Sequence, residues 1–111
     1  MKNLLLIFLI TLLATPCLAL TDSLGSEYDN IVTFFQGEDE PEAKDAVWDS
    51  KLLLKIGVFD NGKKYDEYAK HVCQIVRDKG IQDKDVAVQI IDIKKLAHLK
   101  EWVVLGKAQC Q

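Results

Sequence analysis

Between Leu52 and Ile93 two short apolar runs bracket a helical pattern, and that order admits very few folds. The first run, Leu52-Leu53-Leu54-Lys55-Ile56-Gly57-Val58-Phe59, is bounded by Asp60-Asn61-Gly62, so its length and flanks favour a buried strand over a helix. Val86 to Ile93 is a second such run, rich in β-branched side chains. Between them Tyr65, Tyr68, Ala69, Val72, Cys73 and Val76 recur as one stripe at helical spacing, with Asp60 or Asn61 as turn and cap. Asp66 and Glu67 fall in the first turn of that helix, Arg77 and Lys79 in its last, and Gly80 just beyond, in agreement with the helix dipole. Strand, helix, strand in this order is a parallel βαβ unit, and such crossovers are right-handed in about 98% of cases.

Two strands make a poor sheet, so the rest of the chain must complete the domain. Leu24, Tyr28, Ile31, Val32 and Phe35 predict a short amphipathic helix with Ser26 as its cap and Gly37 as a left-handed end. Pro41 suits the first position of another short helix, with Glu42 and Asp45 in its first turn, Ala43, Ala46 and Val47 inward and Trp48 near its end. Asp92 caps a further helix from Lys94 to about Trp102, with Leu96, Leu99 and Val103 on one face. Trp102 to Leu105 suits a third strand equally well. The expected class is α+β: a small single domain with a βαβ unit flanked by N-terminal and C-terminal helices.

The N-terminus reads as an export signal. Lys2 supplies the positive start, Leu4 to Leu13 is apolar apart from Thr11, and Cys17-Leu18-Ala19 places small residues at a cleavage point. The run is shorter than the roughly 20 residues that span a bilayer, so cleavage is expected rather than anchoring, and no transmembrane segment follows. Pro16 before Cys17 argues against a lipid-modified cysteine. The expected organisation is a cleaved leader at 1–19, an acidic helical arm at 20–50 and a βαβ-containing body at 51–111, the last two forming one domain. The bacterial style of the leader points to the periplasm or the medium.

Cleavage leaves two cysteines, Cys73 and Cys110, and an even pair in an exported domain predicts a disulfide. A domain of this size buries only about 60 to 65% of its unfolded surface, so a covalent tie matters. The bridge would clasp the chain end to the crossover helix, and a reducing agent is expected to lower the melting temperature by several degrees. Neither cysteine has the close cysteine neighbour of a redox motif.

Charge is uneven. The stretch 20–50 holds nine acids against Lys44 alone, whereas 51–111 holds twelve bases and eight acids. The arm is expected to pack on the body and neutralise it within one molecule. Acidic net charge and aromatics at helical spacing argue against direct nucleic-acid binding.

Candidate chemistry gathers beyond the carboxyl ends of the two strands, where open α/β sheets bind ligands. That rim holds Asp60, Asn61, Gly62, Lys63 and Lys64 after the first strand and Asp92, Lys94 and Lys95 after the second. The lysines suit an anion, but no multiple-glycine phosphate cradle accompanies them, and Asp66 and Glu67 repel one at the helix start. Glu67 and His71 stand one helical turn apart as an expected ion pair, and with His98 on another element no zinc set is visible. No hydrolase, metalloprotease, Walker or dinucleotide signature occurs, and no cofactor is expected. The expectation is a non-enzymatic exported protein that binds a protein partner or an anionic surface through Lys63, Lys64, Lys94 and Lys95. The alternative is a small exported hydrolase or enzyme inhibitor using Asp60 and Asp92 at the strand ends.

Overall fold

The computed structural model describes residues 23–111, so the expected leader at 1–19 and its expected cleavage point lie outside the described residues. Among the described residues, three helices and a four-stranded mixed sheet form an α+β domain. In chain order these are α1 Ser26–Gln36, β1 Asp45–Ser50, β2 Leu53–Val58, α2 Asp66–Asp78, β3 Ala87–Asp92, α3 Ile93–Leu99 and β4 Val104–Gln109. The strands lie side by side in sequence order; β2 and β3 are parallel, and β1 and β4 run antiparallel to their neighbours.

The βαβ unit forms where the apolar periodicities place it. Leu54, Ile56, Val58, Val88 and Ile90 point to one face of the sheet and are fully buried. The α2 stripe of Ala69, Val72, Cys73 and Val76 covers them. Tyr65 is equally buried but precedes the helix, which carries no side-chain cap, so Asp60 and Asn61 shape the turn and do not cap. Gly80 ends the segment at φ 109, a backbone conformation that glycine adopts at little cost. On the same face α1 buries Ile31 and Phe35. Its start also departs from expectation: Gly25 occupies the cap position at φ 133, and the Ser23 hydroxyl accepts from the Gly25 N–H and donates to Asp29. Gly37 is extended at φ −89, not left-handed.

The second helix expected in the acidic stretch is a strand. In β1, Ala46 and Trp48 face the core while Val47 is 49% exposed on the other side, an alternation of period two. Over so short a window Ala43, Ala46 and Val47 suit either period, and the decision comes from β2, whose free edge pairs with β1 from Asp45↔Gly57 to Ser50↔Leu53. Trp48 secures it by packing edge-on against Tyr28, and its indole N–H donates to the Tyr28 carbonyl.

The C-terminal ambiguity resolves into both elements. Asp92 caps α3 as expected, its Oδ1 accepting from the Lys94 and Lys95 N–H groups. The helix stops earlier than Trp102, because Lys100 turns left-handed at φ 58. None of its residues is fully buried and Leu99 is exposed, so its apolar face does not join the main core. Val104 and Leu105 enter β4, while Trp102 and Val103 remain in the preceding loop.

Just beyond β4, Cys110 is disulfide-bonded to Cys73 on α2. Its N–H also donates to the Val86 carbonyl, so the chain end is fixed to the start of β3 and to the crossover helix. Among the described residues no helix is long and apolar enough to cross a membrane.

Candidate functional site

Because β2 and β3 are parallel, the loops that follow them emerge on one edge, and the residues singled out from the sequence do share a rim. Its chemistry differs from the expected set. In the first loop the Asp60 carboxylate accepts the Gly62 N–H and the Asn61 side chain accepts the Lys63 N–H, two local turns that leave Gly62 at φ 88. The buried Tyr65 hydroxyl accepts the Asn61 N–H and lies 3.2 Å from the Phe59 carbonyl, which fastens the loop from below. Asp92 is 4% exposed and spends its carboxylate on the α3 cap. Both carboxylates of the alternative hydrolase reading thus have local backbone partners.

The lysines divide. Lys63 pairs with Glu42 and lies over the Tyr65 ring, so its charge is neutralised by the loop before β1. Lys64 and Lys95 are exposed and make no ion pair among the described residues. Lys94 extends to within 5.2 Å of the Phe59 ring centre, and Lys44 approaches the same ring at 5.5 Å. Phe59 is half exposed. The rim is therefore an aromatic side chain with ammonium groups from the loop before β1 and from α3, flanked by Lys64 and Lys95.

Sequence reasoning missed Lys44 and Phe59. Lys44 read as the single base of an acidic arm; the pairing of β1 with β2 and the bond from its N–H to the Gly57 carbonyl carry it to the end of β2, where its ammonium also donates to the Pro41 carbonyl at 2.9 Å. Phe59 read as the last residue of a buried run. A large apolar residue directly before a turn such as Asp60-Asn61-Gly62 was the available signal for exposure.

The acidic loop meets the body on the α2 side. Glu40 accepts from the Tyr68 hydroxyl at 3.1 Å and faces His71 Nε2 at 3.2 Å. On the other face of the sheet Asp49 of β1 reaches Lys55 at 3.8 Å. The expected Glu67 and His71 pair does not form: Glu67 takes Lys70 instead, because Glu40 offers His71 a carboxylate from across the fold. Among the described residues no group of three or more His, Cys, Asp or Glu side chains is placed to hold a metal ion. Burial raises the Tyr68 phenol pKa far above the ordinary tyrosine range, and the charge of Glu40, its hydrogen bond and the charge of Glu42 push the same way. A raised phenol pKa means that folding favours the neutral form. This contribution is intact below the ordinary tyrosine pKa of about 10 and fades as pH rises above it. In a spectrophotometric titration the Tyr68 phenol is expected to ionise later than the ordinary range, and Tyr68→Phe should lower the amplitude of the late step; an unchanged late amplitude in the variant contradicts the assignment.

A second feature adjoins the rim. On the sheet face away from α1 and α2, an apolar groove of about 140 Å3 runs between Val47 and the side chains of Ile93, Leu96 and Trp102, with Gly57 and Ile91 as its floor. Comparison of the chain with protein-family models, curated proteins and solved structures gives no significant match.

Proposed function

We propose that this is an exported, non-enzymatic binding protein that recognises an acidic segment of a partner protein through the rim formed by Lys44, Phe59 and Lys94, extended by Lys95 and Lys64. The observation that carries this reading is the approach of two ammonium groups from distant segments to one half-exposed ring. An exposed apolar surface bordered by like charges fits a ligand with an apolar part and carboxylates. Export is supported by the leader pattern and is compatible with the disulfide, which oxidising compartments preserve.

A protein partner is favoured over an anionic bilayer by the charges next to the rim. Glu42 and Asp60 stand among the lysines, and the chain is acidic overall at −3. A flat anionic surface would meet both signs, whereas a protein segment presents its carboxylates one at a time. Of the residues expected from the sequence, Lys94, Lys95 and Lys64 stay in the proposal, and Lys63 leaves it because Glu42 occupies its ammonium group.

The test uses a fluorescein-labelled peptide, Glu-Glu-Phe-Glu-Glu, in an anisotropy titration. The triple variant K44E/K94E/K95E is expected to bind it about tenfold more weakly, since three exposed charge contacts worth about 0.2 to 1 kcal/mol each are reversed. Raising salt from about 50 mM to about 0.5 M should weaken the wild type in the same direction. Unchanged binding by the folded triple variant overturns the reading. So does tighter binding to phosphatidylglycerol vesicles than to the peptide, which would assign the rim to a bilayer.

A further inference from the structure

The outer face of the sheet is ordered by strand register. One row across it is Asp45, Gly57, Ile91 and Val104, and the next is Val47, Lys55, Gln89 and Lys107. The groove lies over the β1 and β2 side of these rows. Its depth depends on Gly57: a Cβ there would begin 3.0 Å from the Ile93 Cδ1, in the space that forms the floor. One wall is Val47, 49% exposed, and the other includes Trp102, 54% exposed. Both walls thus present large apolar side chains to solvent across a space with no side chain at its centre.

The volume sets the size of an occupant. About 140 Å3 is close to the roughly 150 Å3 apolar cavity that admits benzene, which is one bulky side chain and no more. The charges at the groove set its sign. Asp45 is already committed, its Oδ1 accepting from the Ala46 N–H and from Gln36 Nε2. Lys55 lies with its ammonium 4.2 Å from the Trp102 ring centre, and its carboxylate neighbour, Asp49, is 3.8 Å away and largely exposed. The Lys55 side chain is itself only 17% exposed, so a second carboxylate reaches its ammonium from within the groove, where the solvated Asp49 is a loose counter-ion.

The groove is also continuous with the rim. Gly57 on the floor is two residues before Phe59, and Ile93 on the wall is followed directly by Lys94, whose ammonium approaches Phe59. We infer that this groove seats one bulky apolar side chain, phenylalanine or leucine, of the partner's acidic segment, with a neighbouring carboxylate of that segment on Lys55. This inference rests on the rim reading and adds to it a requirement the rim alone does not impose: one bulky apolar side chain of the recognised segment must be buried between Val47 and Trp102.

Paired peptides and paired variants test it. Wild-type protein is titrated with labelled Glu-Glu-Phe-Glu-Glu and with Glu-Glu-Ala-Glu-Glu. Loss of a buried ring should weaken binding roughly tenfold or more. Trp102→Ala and Val47→Arg open or obstruct opposite walls at exposed positions, and in each the preference for the Phe peptide should fall to about twofold or less. The charge variant K44E/K94E/K95E should weaken both peptides and keep their ratio. Should the charge variant bind like wild type while Trp102→Ala and Val47→Arg erase the ratio, the rim reading fails and the groove stands. No preference in the wild type, or a preference that survives both wall variants, overturns the inference. Self-association of the wild type that Trp102→Ala abolishes also overturns it, by assigning the groove to a second copy of the chain.

Discussion

Replacing Cys73 and Cys110 together with alanine is expected to remove about 4 kcal/mol of stability, the chain-entropy value for a link closing a loop of nearly forty residues. Native domains are stable by only about 5 to 15 kcal/mol, so this is a large share. In a domain of this length each kcal/mol moves the melting temperature by about 4 to 8 °C, which places the expected fall at roughly 15 °C or more. The sequence alone supported only a fall of several degrees. The larger figure is reasonable because the bond joins two well-anchored points: Cys73 within the buried stripe of α2, and Cys110 held by the Val86 carbonyl. Calorimetry on oxidised, reduced and double-alanine protein measures the effect. Circular dichroism should show the same secondary structure below each transition, and a melting temperature indifferent to reduction would contradict the clasp.

Gly106→Ala is expected to cost about 3 kcal/mol, at the upper end of the usual range for overpacking. A Cβ at Gly106 would stand 2.3 Å from the Tyr65 carbonyl carbon and 2.6 Å from the Asp66 nitrogen, and these are backbone atoms at the start of α2 with nowhere to swing. The same contact carries a further tie, because the Lys107 N–H donates to Asp66 Oδ1 at 2.9 Å. Displacing α2 from β4 therefore disturbs packing and this hydrogen bond at once. Gly57→Ala is the informative control: its Cβ would meet the flexible end of Ile93 at 3.0 Å, and a loss near 1 kcal/mol is expected. Urea midpoints for the two variants measure the difference, and a Gly106→Ala protein as stable as wild type would remove the close approach of α2 from the account of this fold.

Most of the central unit is legible in the amino-acid order. The α2 stripe, its charged ends and Gly80 agree on one helix, and β2 and β3 are short apolar runs with turn residues on each side. Local signals suffice there because each side chain's role depends on the period of its own segment. They fail at β1, where Ala46 faces the core in either period and the deciding partner, Ile56, lies ten residues on. They also fail at the helix ends of α1, where Ser23 rather than Ser26 makes the hydroxyl contacts.

The rim shows the same division. Its place at the strand ends follows from parallel pairing, and Lys94 and Lys95 were visible beside the Asp92 cap. Which ammonium groups remain available is a matter of contacts between segments. Glu42 takes Lys63 and Glu40 takes His71, so the acidic stretch does meet the body. Lys44 is carried to Phe59 by the pairing of β1 with β2 and by its own N–H bond to the Gly57 carbonyl.

By itself the amino-acid order determined the βαβ unit, the α+β class and the pairing of Cys73 with Cys110, because periodicity, helix-end chemistry and cysteine parity are properties of short segments or simple counts. Only the tertiary structure decided that the acidic stretch contributes an edge strand, that Lys63 is neutralised while Lys44 and Lys94 converge on Phe59, and that Gly57 floors an open groove. Those features depend on distances between residues far apart in the chain, and such distances exist only once β1, β2 and α3 have come together.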